Sequence, residues 1–402
     1  MNIAIIVQGE GRGHQTQALA LMEQLSLTRY TVAVCLVGSS DDTQIPTLLR
    51  STISCDVLPF KSPCLKYDKH TAKLKVLNTI GQSFRYLPYY IASLSYLHEM
   101  MNKYEIDIII NLYDILGGFY NGIINHNKRP FLCAAHQYLL LHPKFPHPKG
   151  YFWSRAIVNL NSQITSLGAV KRIALSFDPQ VYDKQFQLET APPLVRRKAQ
   201  GQIGQQSDDI LAYVNMPAMA EELVSWYREE GIDSEVHCFW SGSNDTCLEP
   251  PAGFKFHDLD GQKYLDYMSR CRLLISTAGF ESICEAFLRG IRVITRPMPN
   301  HYEQLCNSID AQRVGIGIHC TPDLQTAYNA LPQGNINTQR FESWVSQSKD
   351  LWIQILNKTM VRRRKHVTIR TVSLFARLIL FPIKRIVRLV LNPVKRVALL
   401  RR

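Results

Sequence analysis

The sequence predicts an α/β protein of two doubly wound, Rossmann-like halves with a basic amphipathic helical tail. Three observations predict it. Short apolar runs that end at glycines or small polar residues alternate with segments of helical period, as in parallel strands covered on both faces. The series stops and restarts once, around a Pro- and Gln-rich stretch. The charge sits at one end: 46 Lys or Arg against 33 Asp or Glu give +13 over 402 residues, and residues 361–402 hold thirteen basic side chains and no acid. The remaining body is formally neutral, which argues against nucleic acid along its surface. At 46% apolar and 10% aromatic it is not disordered, and it is too long for one usual core.

The first half is expected over residues 1–180. Residues 3–7 form a buried strand that runs into Gly9, and residues 14–27 place Ala18, Leu21, Met22 and Leu25 at helical spacing. Residues 31–37 are a β-branched run closed by Gly38, completing a βαβ unit. Further strands are expected at 106–111, 131–135 and, last in this half, 171–177, with an aromatic-rich helix over 86–104. Residues 181–208, which contain Pro192-Pro193 and a polar stretch from Gln200 to Ser207, read as a linker. The second half, 209–340, carries strands at 210–214, 235–240, 273–276 and 293–295. Residues 341–360 form a closing amphipathic helix with Trp344 and Trp352, ahead of the tail.

Ten cysteines are present, and the nearest pairs (Cys55 and Cys64, Cys238 and Cys247) are nine residues apart. Structural zinc sites use CxxC-like hooks, so no metal is expected. The opening from Met1 to Val7 has neither the charged nor the apolar region of a signal peptide, so the thiols are read as reduced and cytoplasmic.

Chemistry concentrates in two places. Gly9-Glu10-Gly11-Arg12-Gly13-His14 lies where a strand-to-helix phosphate loop would lie. It is not a dinucleotide fingerprint: the third glycine of GxGxxG would fall at position 14, and Leu36-Val37-Gly38 supplies no ribose-binding acid. The loop offers a bare turn and a helix start that puts His14 toward an interdomain cleft. The helix N-terminus favours its neutral, basic form. The bland alternative is a helix-capping role.

The second place is residues 274–304. A strand ends at Ser276, Thr277-Ala278-Gly279 turn the chain, and a helix starts near Phe280, where free N–H groups can hold a diphosphate. Glu285 lies about 1.5 turns into that helix, within reach of a ribose diol. Arg296 to Gln304 then form a polar loop at another strand's end.

These two segments resemble the GT-B glycosyltransferases. Within them the chain is most similar to the branch that holds the lipid II-forming N-acetylglucosaminyltransferase and the diacylglycerol galactosyltransferases. The resemblance covers the order of elements over residues 1–340 and is specific at 9–14 and 276–304. It implies two domains facing across a cleft and inverting transfer of a hexosyl group from a UDP-sugar, without a cofactor or metal. By position it implies His14 as the base, with Asp114 orienting it. The amides of Gly279 and Phe280, with Ser276, Thr277 and Asn215, would meet the diphosphate. Glu285 would bind the ribose, and Glu303 and Gln304 the sugar. Gly11, Arg12, Gly13 and His136, the last followed by Gln137, would line the acceptor side. Glu303 is equally readable as a first-turn helix acid, and Glu281 reads as one. Arg12 is open between an anionic acceptor, the donor diphosphate and plain solvent. The loop departs from the all-small pattern of the lipid II enzyme, so a different acceptor is open. A nucleotide-sugar epimerase of the same fold and a non-catalytic sugar-nucleotide or membrane-binding module are the competing readings.

In the tail, Arg363, Arg370, Arg377, Lys384, Arg388, Lys395 and Arg402 fall within one sector of about 60° on a helix, opposite Ile and Val residues. Pro382-Ile383-Lys384-Arg385-Ile386 recurs as Pro393-Val394-Lys395-Arg396-Val397, a spacing of about three whole turns that preserves the face. Every 18-residue window carries Lys or Arg, which excludes a membrane span. The expectation is an interfacial helix on an anionic membrane, at the inner face of the cell membrane, with a lipid-linked or membrane-proximal acceptor. A nucleic-acid arm would not need the apolar face.

Overall fold

The computed structural model describes residues 1–362 apart from 10–11, 27, 41–48, 50–54, 64–85, 127, 197–206, 241 and 243–248. Of the expected tail at 361–402, residues 363–402 lie outside the described residues, as does Gly11.

The first half runs β1 (Asn2–Gln8), α1 (Gly13–Leu25), β2 (Thr31–Ser39), β3 (Asp56–Lys61), α2 (Leu87–Lys103), β4 (Ile108–Leu112), α3 (Ile115–Tyr120), β5 (Phe131–Ala135), α4 (Phe152–Thr165), β6 (Lys171–Leu175) and β7 (Leu188–Ala191). The sheet order is β3-β2-β1-β4-β5-β6-β7, with every pairing parallel. Ile3 to Val7 and Ile108 to Leu112 are almost wholly buried because helices cover both faces, which is why they read as unbroken apolar runs.

The second half runs β8 (Ile210–Tyr213), α5 (Pro217–Glu229), β9 (Val236–Phe239), β10 (Phe254–His257), α6 (Gly261–Met268), β11 (Leu273–Ser276), α7 (Phe280–Leu288), β12 (Arg292–Thr295), α8 (Tyr302–Val314), β13 (Ile318–His319) and α9 (Leu324–Asn329). Its parallel sheet has the order β10-β9-β8-β11-β12-β13. The fold is thus two parallel-sheet α/β domains. Among the described residues no helix is long and apolar enough to cross a membrane.

Two expectations are corrected. The first sheet does not end at residues 171–177: β7 pairs with β6 inside the segment expected as linker. The short Leu188-Glu189-Thr190-Ala191 extends the edge, and Glu189 pairs with Lys171 across it. The closing helix is two helices, α10 (Gln339–Ser346) and α11 (Ser348–Arg362). Ser346 Oγ and Gln347 Nε2 both donate to the Ser343 carbonyl, giving the backbone an alternative partner at the break. The pair returns to the first half, where Trp344 Nε1 donates to the Ser176 carbonyl at 2.9 Å and Ser348 Oγ to Gln24. Trp352, Ile355 and Leu356 are fully buried in the same apolar cluster as β1 and β11.

Candidate active site

His14 occupies the first turn of α1, 8% exposed, at the seam between the two halves. Its surroundings determine its tautomer. Gln17, three residues on and on the same helix face, donates its amide to Glu281 of the second half. The Gln17 Oε1 is therefore the acceptor facing His14 Nδ1, at 3.1 Å, and Nδ1 carries the proton. On the other side Gln137 Nε2 donates to Glu303 Oε1 at 2.9 Å and stands 3.4 Å from His14 Nε2. Nε2 thus keeps its lone pair. Burial pushes the imidazole pKa down to about 4 against a smaller upward pull from Gln17, so the ring is neutral at physiological pH. Tyr113 stacks on it, with ring centroids 5.6 Å apart, and is anchored by its hydroxyl to Ser162 Oγ at 2.8 Å.

The second half supplies the acids of this seam. Glu281, in the first turn of α7, lies against Gly13, where a Cβ would come within 2.6 Å of its carboxylate. Burial raises its pKa, and burial followed by the charge of Glu281 raises that of Glu303 to about 7.

The turn before α7 is the second element. Ala278 adopts φ of 62°, and Asn307 Nδ2 donates to its carbonyl at 3.0 Å. Gly279 is the N-cap of α7 with no side-chain cap, so the first amides of the helix have no internal acceptor from the cap residue. Thr277 Oγ1 accepts from Asn215 Nδ2 at 3.5 Å, and the Ser276 hydroxyl is buried without a partner. A small pocket next to Ser276 is lined by Tyr213, Val214, Glu222, Arg296 and Leu324. The structure therefore brings Asn215, Ser276, Thr277, Gly279 and Phe280 to one sheet edge. Gln304 lies nearby, with its Oε1 accepting from Met298 N at 2.9 Å.

Other expected residues stand elsewhere or are already engaged. Asp114 does not orient His14: its carboxylate caps α3, accepting from Gly117 N at 2.8 Å. Gln17 takes that place. His136 does not face an open acceptor side; it is buried, contacts the Leu175 carbonyl at 2.7 Å through Nδ1, and stacks on the Phe280 ring at 3.9 Å. Arg12 reaches the second half and donates to the Leu259 carbonyl at 2.9 Å. Glu285 forms a bidentate ion pair with Arg196, at 2.8 and 2.7 Å. Gln17, Tyr113 and Glu281 were not predicted as site residues, and Gln137 was expected only beside His136 on the acceptor side. The i, i+3 spacing of Gln17 from His14 was the available signal for the first.

The sequence profile of glycosyl transferase family 1 matches residues 1–330. The chain belongs to that family. Solved structures with which the glycosyltransferase shares its GT-B fold span nearly all of it. UGT2 of Phytolacca americana, complexed with UDP-2-fluoro-glucose and pterostilbene, is similar with a TM-score of 0.59 at 12% identity, over 89% of this chain and 99% of that one. CalG4, the calicheamicin glycosyltransferase, gives 0.56 at 13%, over 90% and 98%. The glycotransferase of kitacinnamycin gives 0.53 at 15%, over 96% and 98%. Among curated protein sequences none is significantly similar. These comparisons give the epimerase and the non-catalytic module no support.

Among the described residues of the glycosyltransferase, one group has metal-ligand geometry: Asp209, Glu235 and His237. It sits at the opposite edge of the second sheet, where β8 and β9 begin. There Glu235 is paired with Lys255 at 2.8 Å and His237 Nδ1 lies 3.1 Å from His257. The eight described cysteines are free.

Proposed function

We propose that this glycosyltransferase transfers a hexosyl group with inversion from a UDP-sugar to a lipid-linked or membrane-proximal acceptor, without a metal, at the cytoplasmic face of a membrane. The observation that carries the reading is the state of His14: two glutamines, each held by a carboxylate of the other half, leave Nε2 unprotonated at the seam, its lone pair turned to the Gln137 amide. A base in that state accepts the acceptor's hydroxyl proton as the oxygen attacks the anomeric carbon. The bond from that carbon to the diphosphate breaks, and the charge that develops on the leaving group meets the uncapped amides of α7 at Gly279 and Phe280. Glu285 keeps a second lone pair on each oxygen beside its pair with Arg196, enough to accept from ribose hydroxyls. Glu303 and Gln304 would meet hydroxyls of the transferred sugar. The UDP-sugar ligand of the Phytolacca americana protein, which has the same fold, supports the donor class. Residues 361–402 would hold the enzyme at the anionic surface.

The test begins with thermal-shift screening of nucleotide sugars, in which UDP-sugars are expected to stabilise the protein and TDP- or GDP-sugars are not. With the donor so found, His14→Ala should lower transfer by about 10²- to 10⁴-fold while UDP binds as before. Retained transfer would remove His14 as the base.

A further inference from the structure

Among the described residues, four of the eight exposed large apolar side chains lie at one helix. Tyr151, Phe152, Trp153 and Leu160 are all exposed, Phe152 at 73% and Trp153 at 77%. They belong to α4 or immediately precede it. This helix is amphipathic in the reverse sense. Its buried side chains are the polar Ser162 and Thr165, which take hydrogen bonds with Tyr113 and Tyr138, while Phe152, Ala156 and Leu160, spaced four apart, form an outward stripe. An apolar stripe held in water costs free energy that a partner would recover.

The same stretch is cationic. Between Asp114 and Asp178 the chain has seven Lys or Arg and no acid. Lys144, Lys149 and Arg155, around the aromatic residues, are exposed. The patch also borders the seam. The Tyr151 ring lies 5.9 Å from that of Tyr302, and His147 Nδ1 meets the Tyr302 hydroxyl at 2.7 Å. Tyr302 begins α8, whose next residue, Glu303, holds Gln137 beside His14.

We propose that this face of the first half docks on an anionic phospholipid bilayer, with Phe152 and Trp153 in the interfacial layer and Lys144, Lys149 and Arg155 on the headgroups. Exposed aromatics flanked by basic residues suit that layer, where one end of each ring is apolar and the other wet. The absence of acids over so long a stretch suits a surface of uniform negative charge better than a protein partner of mixed charge. Docking here would set the seam's acceptor side at the membrane. The proposal rests on the membrane-proximal acceptor reading, and it is separate from any role of residues 361–402.

Trp153 makes the test selective. Of the five tryptophans, Trp226, Trp240 and Trp352 are buried and Trp344 half-buried, and residues 361–402 contain none. The full chain is mixed with phosphatidylglycerol–phosphatidylethanolamine vesicles carrying brominated acyl chains. The expected result is quenching of the emission, lost in Trp153→Phe. In the combined Lys144→Glu, Lys149→Glu, Arg155→Glu variant, half-quenching should need about a hundredfold more lipid, each basic residue being worth about fivefold. Protein that co-sediments with the vesicles yet keeps unquenched emission would overturn the proposal, as would equal quenching on pure phosphatidylcholine. A Trp153-dependent dimer in light scattering, with no quenching, would assign the patch to a second copy instead. Quenching needs no catalysis: its loss leaves the transferase reading intact, and failed transfer with quenching intact counts against the site alone.

Discussion

The turns after β4 and β11 hold equivalent places in the two halves, because each strand lies beside the first strand of its sheet. Both contain a left-handed non-glycine residue, Tyr113 with φ of 66° and Ala278 with φ of 62°. Both start a helix. They differ in one atom group. At α3 the cap is Asp114, whose carboxylate satisfies Gly117 N from within, whereas at α7 the cap is Gly279, which offers no side chain. The Asp114 carboxylate closes one helix N-terminus from the cap, whereas at α7 the Glu281 carboxylate takes only its own N–H and leaves those of Gly279 and Phe280 to an external anion. In the proposed reaction that difference would assign the donor to the second half and the base to the first.

Exchanging the caps should break the asymmetry, and the largest effect is expected from Gly279→Asp. Gly279 has an ordinary φ of −67°, and a Cβ there would meet only Ser282 Oγ at 3.9 Å, so the helix should stand and even gain about 1 kcal/mol from the new cap. UDP affinity, measured by calorimetry, should fall by about tenfold or more through repulsion and the filled site. Gly279→Ala, which fits the same space without the charge, should bind nearly as the parent does.

The complementary change, Asp114→Ala, should cost about 1 kcal/mol in denaturant unfolding and leave UDP affinity unchanged. Asp114 also carries a pH signature. Burial raises its pKa from 3.8 to about 6. The folded state therefore binds the proton more tightly than the unfolded chain, and stability from this group falls as pH rises from about 4 to about 6. The fall is on the order of 3 kcal/mol and should be absent in Asp114→Asn, which keeps a capping oxygen but does not titrate. The smallest effect is expected at Ala278→Gly. Relief of left-handed strain is offset by the entropy of glycine, so the melting temperature should move little while UDP binding weakens slightly as the turn loosens.

The same contrast explains what was legible. The four strands that the sequence reading did not recover, β3, β7, β10 and β13, are the edge strands of the two sheets. β3 contains Pro59, which a central strand would exclude, and β13 has two residues. Central strands, buried on both faces, announce themselves as apolar runs. The candidate site was legible as geometry where glycine and helix starts forced it, in the turns at His14 and Gly279. It was illegible where contacts depend on the other half. Nothing local to Gln17 or Gln137 marks them as partners of Glu281 and Glu303, and the left-handed turn that lays Tyr113 on His14 has no glycine to betray it. Asp114 was misread although an Asp between a strand and a helix is an ordinary cap.

The most direct measurement is the pH dependence of kcat/KM with the donor found by screening. A base must be unprotonated to act, so activity rises as pH climbs through its pKa. With His14 buried between two carboxylate-held glutamines, the acid limb should fall near pH 4 and disappear together with most of the activity in His14→Ala. An acid limb near the ordinary histidine value of about 6.5, or one unchanged by His14→Ala, would contradict a neutral His14 as the base.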